Sequence, residues 1–157
     1  MMQLKHVLVP TDYSDTSEAA LTYGRALASL FGADLTLLHV TDNPFLRATV
    51  ADPATLRAGE VKRLSDRLTP ADREILRARA ILEVSDDPAD EIVTYAKAAD
   101  IDLIVMGTHG RRGAAHLLVG SVAERVVRTA PCPVLTVRHP EREFVVADRS
   151  EFAAERT

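Results

Sequence analysis

The side chains best suited to chemistry crowd into one stretch, Gly107-Thr108-His109-Gly110-Arg111-Arg112-Gly113-Ala114-Ala115-His116-Leu117-Leu118-Val119-Gly120-Ser121. It leaves an apolar run, crosses a loop with several glycines, and ends on a Gly-Ser pair that opens an amphipathic helix. Gly107 and Gly110 admit backbone conformations and close approaches that a Cβ would obstruct. The first amides of the helix opening at Gly120 and Ser121 lack partners within the helix and point outward. Together with the helix dipole they attract an anion, by about 0.3–1 kcal/mol for an exposed charge. Between Thr108 and Ser121 stand two arginines, two histidines and no acid, on a chain whose formal net charge is −4. A local positive island of this kind suits phosphate. The loop is not a Walker A element, because the Gly-Lys-Ser/Thr that cradles β- and γ-phosphates is missing.

The elements that would position this loop follow from hydrophobic periodicity. Short apolar runs at residues 4–9, 34–40, 81–84, 101–106 and 134–137 read as buried strands. Between the first two, Asp15 with Glu18 gives an N-cap signature, Leu21, Gly24, Leu27, Ala28 and Phe31 recur at helical spacing, and Gly32 is placed to end the helix. A second helix runs through Leu56, Val61, Leu64 and Leu68. A third opens at Asp87-Pro88 and carries Ile92, Val93, Ala96 and Ala99 on one face. A fourth spans about 121–130. Strand and helix alternate four times and a strand closes the series. The pattern predicts an α/β, single Rossmann-like domain, its five-stranded parallel sheet covered by helices on both faces.

With strand order 3-2-1-4-5 the switch point falls between the first and fourth strands, and ligands bind beyond the carboxyl ends at such a crevice. Those ends are Pro10-Thr11-Asp12 and Gly107. Thr11 and Asp12 are candidates to hydrogen-bond a ribose, and Asp12 to hold a metal beside phosphates. Val40 and Met106 would offer apolar surface to a base.

Composition bounds the rest. The chain has 157 residues, 46% hydrophobic and 27% charged, which suits one globular domain. The acidic balance argues against a nucleic-acid partner. The single cysteine, Cys132, forbids an internal disulfide and fits a reducing compartment. No signal-peptide core and no membrane-length apolar run is visible, so the expectation is a cytoplasmic protein with no membrane partner. No His, Cys or carboxylate cluster has zinc spacing. Residues 139–157, rich in Glu and Arg, read as a charged surface extension to a domain spanning 1–138.

The spacing Gly107-x2-Gly110-x9-Gly120-Ser121 resembles the ATP-binding motif of the universal stress protein family. Its flanks agree: Val9-Pro10-Thr11-Asp12, the run from Asp102 to Gly107, and Ala130-Pro131-Cys132-Pro133-Val134. The resemblance extends over about 4–137. The chain departs from it at Asp86-Asp87-Pro88, where family members often have Gly-x-Pro. The resemblance implies the adenine nucleotide alpha-hydrolase-like version of the fold. It places Pro10, Thr11, Asp12 and Val40 around a nucleoside, and Met106, Gly107, His109, Gly110, Gly120, Ser121 and Val122 around ribose and phosphates. It further implies ATP with magnesium and a nucleotide-dependent regulatory role in stress response, with slow or no intrinsic hydrolysis.

Simpler roles compete at several positions. Ser121 with Glu124 has the spacing of a capping box, worth about 1 kcal/mol. Asp12 could serve only to turn the chain. Arg111 and Arg112 are either solvated surface or contacts to a terminal phosphate. His39 reads as a strand residue with a satisfied ring, His109 as approaching a ligand by its backbone, His116 as a loop residue, and Cys132 as structural. Two other functions stay open: an ATP-hydrolysing enzyme of the adenine nucleotide alpha-hydrolase-like group, and a nucleotide-free dimeric interaction protein. Those enzymes usually carry a Ser-Gly-Gly loop where this chain has Pro10-Thr11-Asp12-Tyr13-Ser14. The final strand, Val134–Val137, would lie at the sheet edge with no charge of its own. Edge physics and the resemblance both point to a homodimer through it.

Overall fold

The computed structural model describes residues 1–42, 52–109 and 119–146. The elements run β1 (His6–Pro10), α1 (Asp15–Phe31), β2 (Asp34–Thr41), α2 (Pro53–Ser65), α3 (Pro70–Ile75), β3 (Arg79–Val84), α4 (Pro88–Ala98), β4 (Leu103–Gly107), α5 (Ser121–Thr129) and β5 (Val134–Val137). The five strands form one sheet in the order β3-β2-β1-β4-β5, and every adjacent pair is parallel. The order and direction are those expected from the alternation of strands and helices.

Period-two alternation divides the strand side chains between two cores. Val7, Val9, Leu35, Leu37, Val105 and Val137 face α1, α2 and α3. Leu8, Leu38, Ile104 and Met106 face α4 and α5, whose Ala89, Ile92, Val93, Ala96, Ala123 and Val126 close that side. Both faces are covered by apolar side chains of the helices, which is why the strands read as near-continuous apolar runs.

Several boundaries differ from the sequence reading, each for a local reason. The carboxylate of Asp102 accepts the amides of Lys5 and His6, so residues 101 and 102 serve as a tie and β4 begins at Leu103. Helix α1 is capped by Ser14, whose hydroxyl accepts the Ser17 amide; Asp15 is its first helical residue rather than its cap. Gly32 ends that helix in the left-handed region, φ 65°, as expected. The second helix stops at Ser65. Leu68 lies beyond it, before a separate short helix, α3, that opens with a Thr69–Asp72 capping box. The two oxygens of Asp72 also share the single Nε–H of Arg25, which fastens α3 to α1.

Beyond β5 the chain turns back toward α1. The Tyr23 hydroxyl accepts the Phe144 amide at 2.9 Å, and Val145 packs against the core on that face.

Candidate functional site

The site is built from the carboxyl edge of the sheet. Pro10, buried, closes β1 opposite Leu38, and the Thr11 amide carries the ladder one bond further by donating to the Leu38 carbonyl at 2.8 Å. The chain then turns on two consecutive side-chain bonds. Thr11 Oγ1 accepts the Tyr13 amide at 3.1 Å, and Asp12 Oδ1 accepts the Ser14 amide at 3.0 Å. Tyr13 between them has φ 66°, a left-handed conformation unusual for a bulky residue and held here by that double turn.

The Thr11 hydroxyl is 3.0 Å from Ser17 Oγ. Because the Ser17 hydroxyl donates to the Ser14 carbonyl at 2.9 Å, the proton between Thr11 and Ser17 belongs to Thr11. Thr11, 7% exposed, thus directs its hydroxyl into the loop's own network. Its carbonyl accepts from His39 Nδ1 at 2.7 Å, which fixes the Nδ1–H tautomer and satisfies the ring as expected. The His39 ring lies 4.6 Å from that of Tyr13, and the Arg63 guanidinium stands 3.8 Å from the Tyr13 ring centroid. Helix α2 therefore braces the turn through a cation–π contact.

The second half of the site is the end of β4. Met106 is buried on the α4–α5 side. Gly107 faces α1 so closely that a Cβ there would meet Cγ2 of Thr16 at 2.7 Å. Thr108 follows, only 3% exposed. Its amide donates to the Val137 carbonyl at 3.0 Å, and its carbonyl accepts the Gly120 amide. Its hydroxyl lies 3.1 Å from His109 Nδ1. One backbone bond thus ties the end of β4 to the start of α5.

Gly120 is the N-cap of α5, with φ −68° and ψ 157°, and its carbonyl accepts the Glu124 amide at 2.9 Å. The amides of Ser121, Val122 and Ala123 have no acceptor within the helix, as the first turn dictates. The Ser121–Glu124 capping box expected from spacing does not form. Gly120 takes the cap position, which moves Ser121 into the helix, and Glu124 pairs with Arg128 at 2.6 Å instead. The Ser121 side chain is exposed, and Val122 packs partly against the α4–α5 core.

The predicted residues therefore gather around β1. Pro10, Thr11 and Asp12 end the central strand. Val40 lies on β2 to one side, and Met106, Gly107 and His109 lie on and just beyond β4 on the other. Gly120, Ser121 and Val122 are held there through Thr108. Gly110 and Arg111, with Arg112, Gly113 and His116, lie outside the described residues. Ser14, Ser17 and Thr108 were not singled out from the sequence, although they organise both halves. The polar run Ser14-Asp15-Thr16-Ser17 after Asp12 was the available signal.

Two titrating groups near these elements are shifted. The Asp90 amide and then the Arg125 guanidinium hold the Asp87 carboxyl below its ordinary range, and the Asp87–Arg125 pair at 2.7 Å ties the start of α4 to α5. Burial pushes the Cys132 thiol up, which suppresses its thiolate and suits a structural residue. Among the described residues no group of three His, Cys, Asp or Glu side chains could hold a metal ion. No described helix is long and apolar enough to cross a membrane.

Comparison with known proteins agrees with this architecture. Residues 3–138 match the model of the universal stress protein family. A universal stress protein of Methanocaldococcus jannaschii is 35% identical over 153 residues, an alignment covering 88% of this chain and 85% of that protein. The solved universal stress protein UspA of Lactobacillus plantarum superposes with a TM-score of 0.70 at 30% identity, covering 88% of this chain and all of that one. The universal stress protein of Archaeoglobus fulgidus in complex with dAMP superposes with a TM-score of 0.60 at 26% identity, covering 87% and 99% of the two chains.

Proposed function

The chain belongs to the universal stress protein family, and from that premise we propose that it binds ATP in the crevice between the ends of β1 and β4. It then acts as a nucleotide-dependent regulatory module in stress response, with slow or no hydrolysis of its own. The observation that carries the reading is the Thr108–Gly120 bond, which delivers the first amides of α5 to the carboxyl end of β4, beside β1. Helix N-termini at a topological switch point are suited to phosphate. The dAMP bound to the Archaeoglobus fulgidus relative supports an adenine nucleotide as the ligand class.

In this reading the amides of Ser121, Val122 and Ala123 face the phosphates. Asp12 and the backbone around Thr11 meet the ribose, and Val40 and Met106 border the base. Gly110 and Arg111 complete the phosphate loop. The β1 turn suits the task because its own side chains satisfy its amides, so the loop is shaped before a ligand arrives. The donor set fits magnesium carried on the nucleotide rather than in a protein cage, with Asp12 as the carboxylate of the β1 end. Phosphoryl transfer needs an oriented nucleophile, a metal and charge stabilisation together; the reading assigns this chain the charge stabilisation alone. It also includes a homodimer joined along β5, Val134–Val137.

A thermal-shift titration with ATP, AMP and GTP, with and without magnesium, tests the proposal. ATP at about 100 times its dissociation constant adds roughly 2.7 kcal/mol, or about 5–10 °C in midpoint for a chain of this size. An unchanged midpoint at millimolar ATP overturns it, and phosphate release at more than a few turnovers per minute overturns the non-enzymatic part.

A further inference from the structure

We propose that residues 138–146 form a strap that positions the nucleotide site by holding the end of β5 against α1. The family match ends at residue 138, so all of the strap after its first residue lies beyond the match. It turns within itself through Arg138–Glu141 at 3.5 Å and His139–Glu143 at 2.9 Å. It then docks on Tyr23, an α1 residue only 5% exposed. The Tyr23 hydroxyl accepts the Phe144 amide at 2.9 Å, and the two rings meet edge to face at 4.9 Å and 87°. Val145 joins Leu135 of β5 on the α1-side core. A segment otherwise full of charge thus spends an aromatic and a valine on one buried hydroxyl and its surroundings.

The strap begins where the site is held. It leaves β5 directly after Val137, whose carbonyl accepts the Thr108 amide, and the Thr108 carbonyl accepts the amide of Gly120. Two backbone bonds therefore connect the root of the strap to the cap of α5. Fixing Phe144 and Val145 on α1 limits how far Val137 moves, and with it the Thr108–Gly120 clasp. The docking contact is small, and Phe144 stays 81% exposed. No contact between strap and nucleotide is invoked; its residues act through Val137 and Thr108 as positioning residues.

The inference rests on the nucleotide reading only for its consequence, and the experiment separates the two. Hydrogen exchange by NMR and ATP titration compare the full chain with Tyr23→Phe, Phe144→Ala and a chain ending at Arg138. In each variant the Phe144 amide, where present, loses protection. The Thr108 and Gly120 amides are expected to exchange about 5-fold faster or more while those of Leu8 and Leu37 keep their rates, and the ATP dissociation constant to rise by a similar factor. If the Phe144 amide opens and Thr108 and Gly120 exchange as in the full chain, the strap is a passive tail and the proposal falls. If the full chain takes up no ATP, the nucleotide reading fails, and the exchange rates still decide the strap. Should the shortened chain not fold, the two point variants carry the comparison.

Discussion

Gly107 at the end of β4 lies against Thr16 of α1: a Cβ on the glycine would come within 2.7 Å of Thr16 Cγ2 and 3.1 Å of its backbone carbonyl carbon. The first glycine of the phosphate-loop pattern is thus required by helix-to-sheet packing whether or not a ligand is present. It lets α1 come close to the end of β4.

Gly107→Ala should therefore destabilise the protein without nucleotide, by about 1–3 kcal/mol as overpacking does. Adding Thr16→Ser removes Cγ2, the nearest obstructing atom, and should recover part of the loss. Urea melts of the two single variants and the double variant form the cycle. Strictly additive losses would show that Thr16 is not what the new methyl meets.

Asp72→Asn should cost about 1.5–3 kcal/mol, the range for a hydrogen bond to a charged group. Asp72 is 5% exposed, and its carboxylate takes the Nε–H of Arg25 between its two oxygens and accepts the Thr69 amide, joining α1 to α3. Denaturant midpoints should fall with the slope unchanged. A loss below about 0.5 kcal/mol, the level of an ordinary surface substitution, would mean that the pair contributes little to stability.

Asp87 sets a pH dependence whose sign is fixed. Its folded value is depressed by the Asp90 amide and then by Arg125, so its stabilising contribution is complete above the ordinary carboxylate value of 3.8 and fades as pH falls through the lower folded one. Asp87→Asn should be less stable than the parent near neutrality, and the gap should close in strong acid. Because the pair is exposed, added salt should also narrow the gap at neutral pH. Urea midpoints from neutral pH to about pH 2.5, well below ordinary carboxylate values, follow it; a gap that persists in acid would point to a cause other than this carboxylate.

How much of this was legible beforehand depended on whether the signal was local. The two-sided apolar runs declared the parallel sheet, and Gly32 and Asp87-Pro88 marked helix ends because turn and cap chemistry is written in adjacent residues. The Asp15–Glu18 spacing pointed to Asp15 as the cap of α1, but the path of the chain out of the Asp12 turn puts Ser14 there instead. The same holds at α5. Spacing favoured Ser121 and Glu124, yet the bond from Gly120 to Thr108 pins the glycine at the cap and shifts the serine inward. Helix α3 was missed because Leu68 continued the helical spacing past the true break at Ser65. That the ends of β1 and β4 lie side by side could be read from strand order; the inward turn of the Thr11 hydroxyl, which depends on Ser17, could not.

At Gly120 the backbone angles are ones that every residue adopts, φ −68° and ψ 157°. Gly120→Ser should therefore leave the nucleotide-free protein as stable or a few tenths of a kcal/mol more so, since serine is a good helix cap. The same change should abolish most of the thermal shift given by ATP, because its side chain enters the space assigned to phosphate. Undiminished ATP protection would remove Gly120 from the site.

Thr136 is the exposed member of β5 at the open edge of the sheet. Lysine on an edge strand opposes pairing with another chain. Thr136→Lys should shift the protein from dimer to monomer in sedimentation equilibrium at micromolar concentration while leaving its fold intact. A parent protein already monomeric under those conditions would end the dimer proposal.

The carboxylate of Asp102 reaches back 97 positions to the amide of Lys5, and β1 lies between strands from both halves of the chain. During synthesis the first strand leaves the ribosome long before β4 exists to cover its other edge. Val7, Leu8 and Val9, fully enclosed in the finished molecule, must wait with one flank bare. A nascent chain arrested short of Leu103 therefore leaves that flank open for a chaperone to cover.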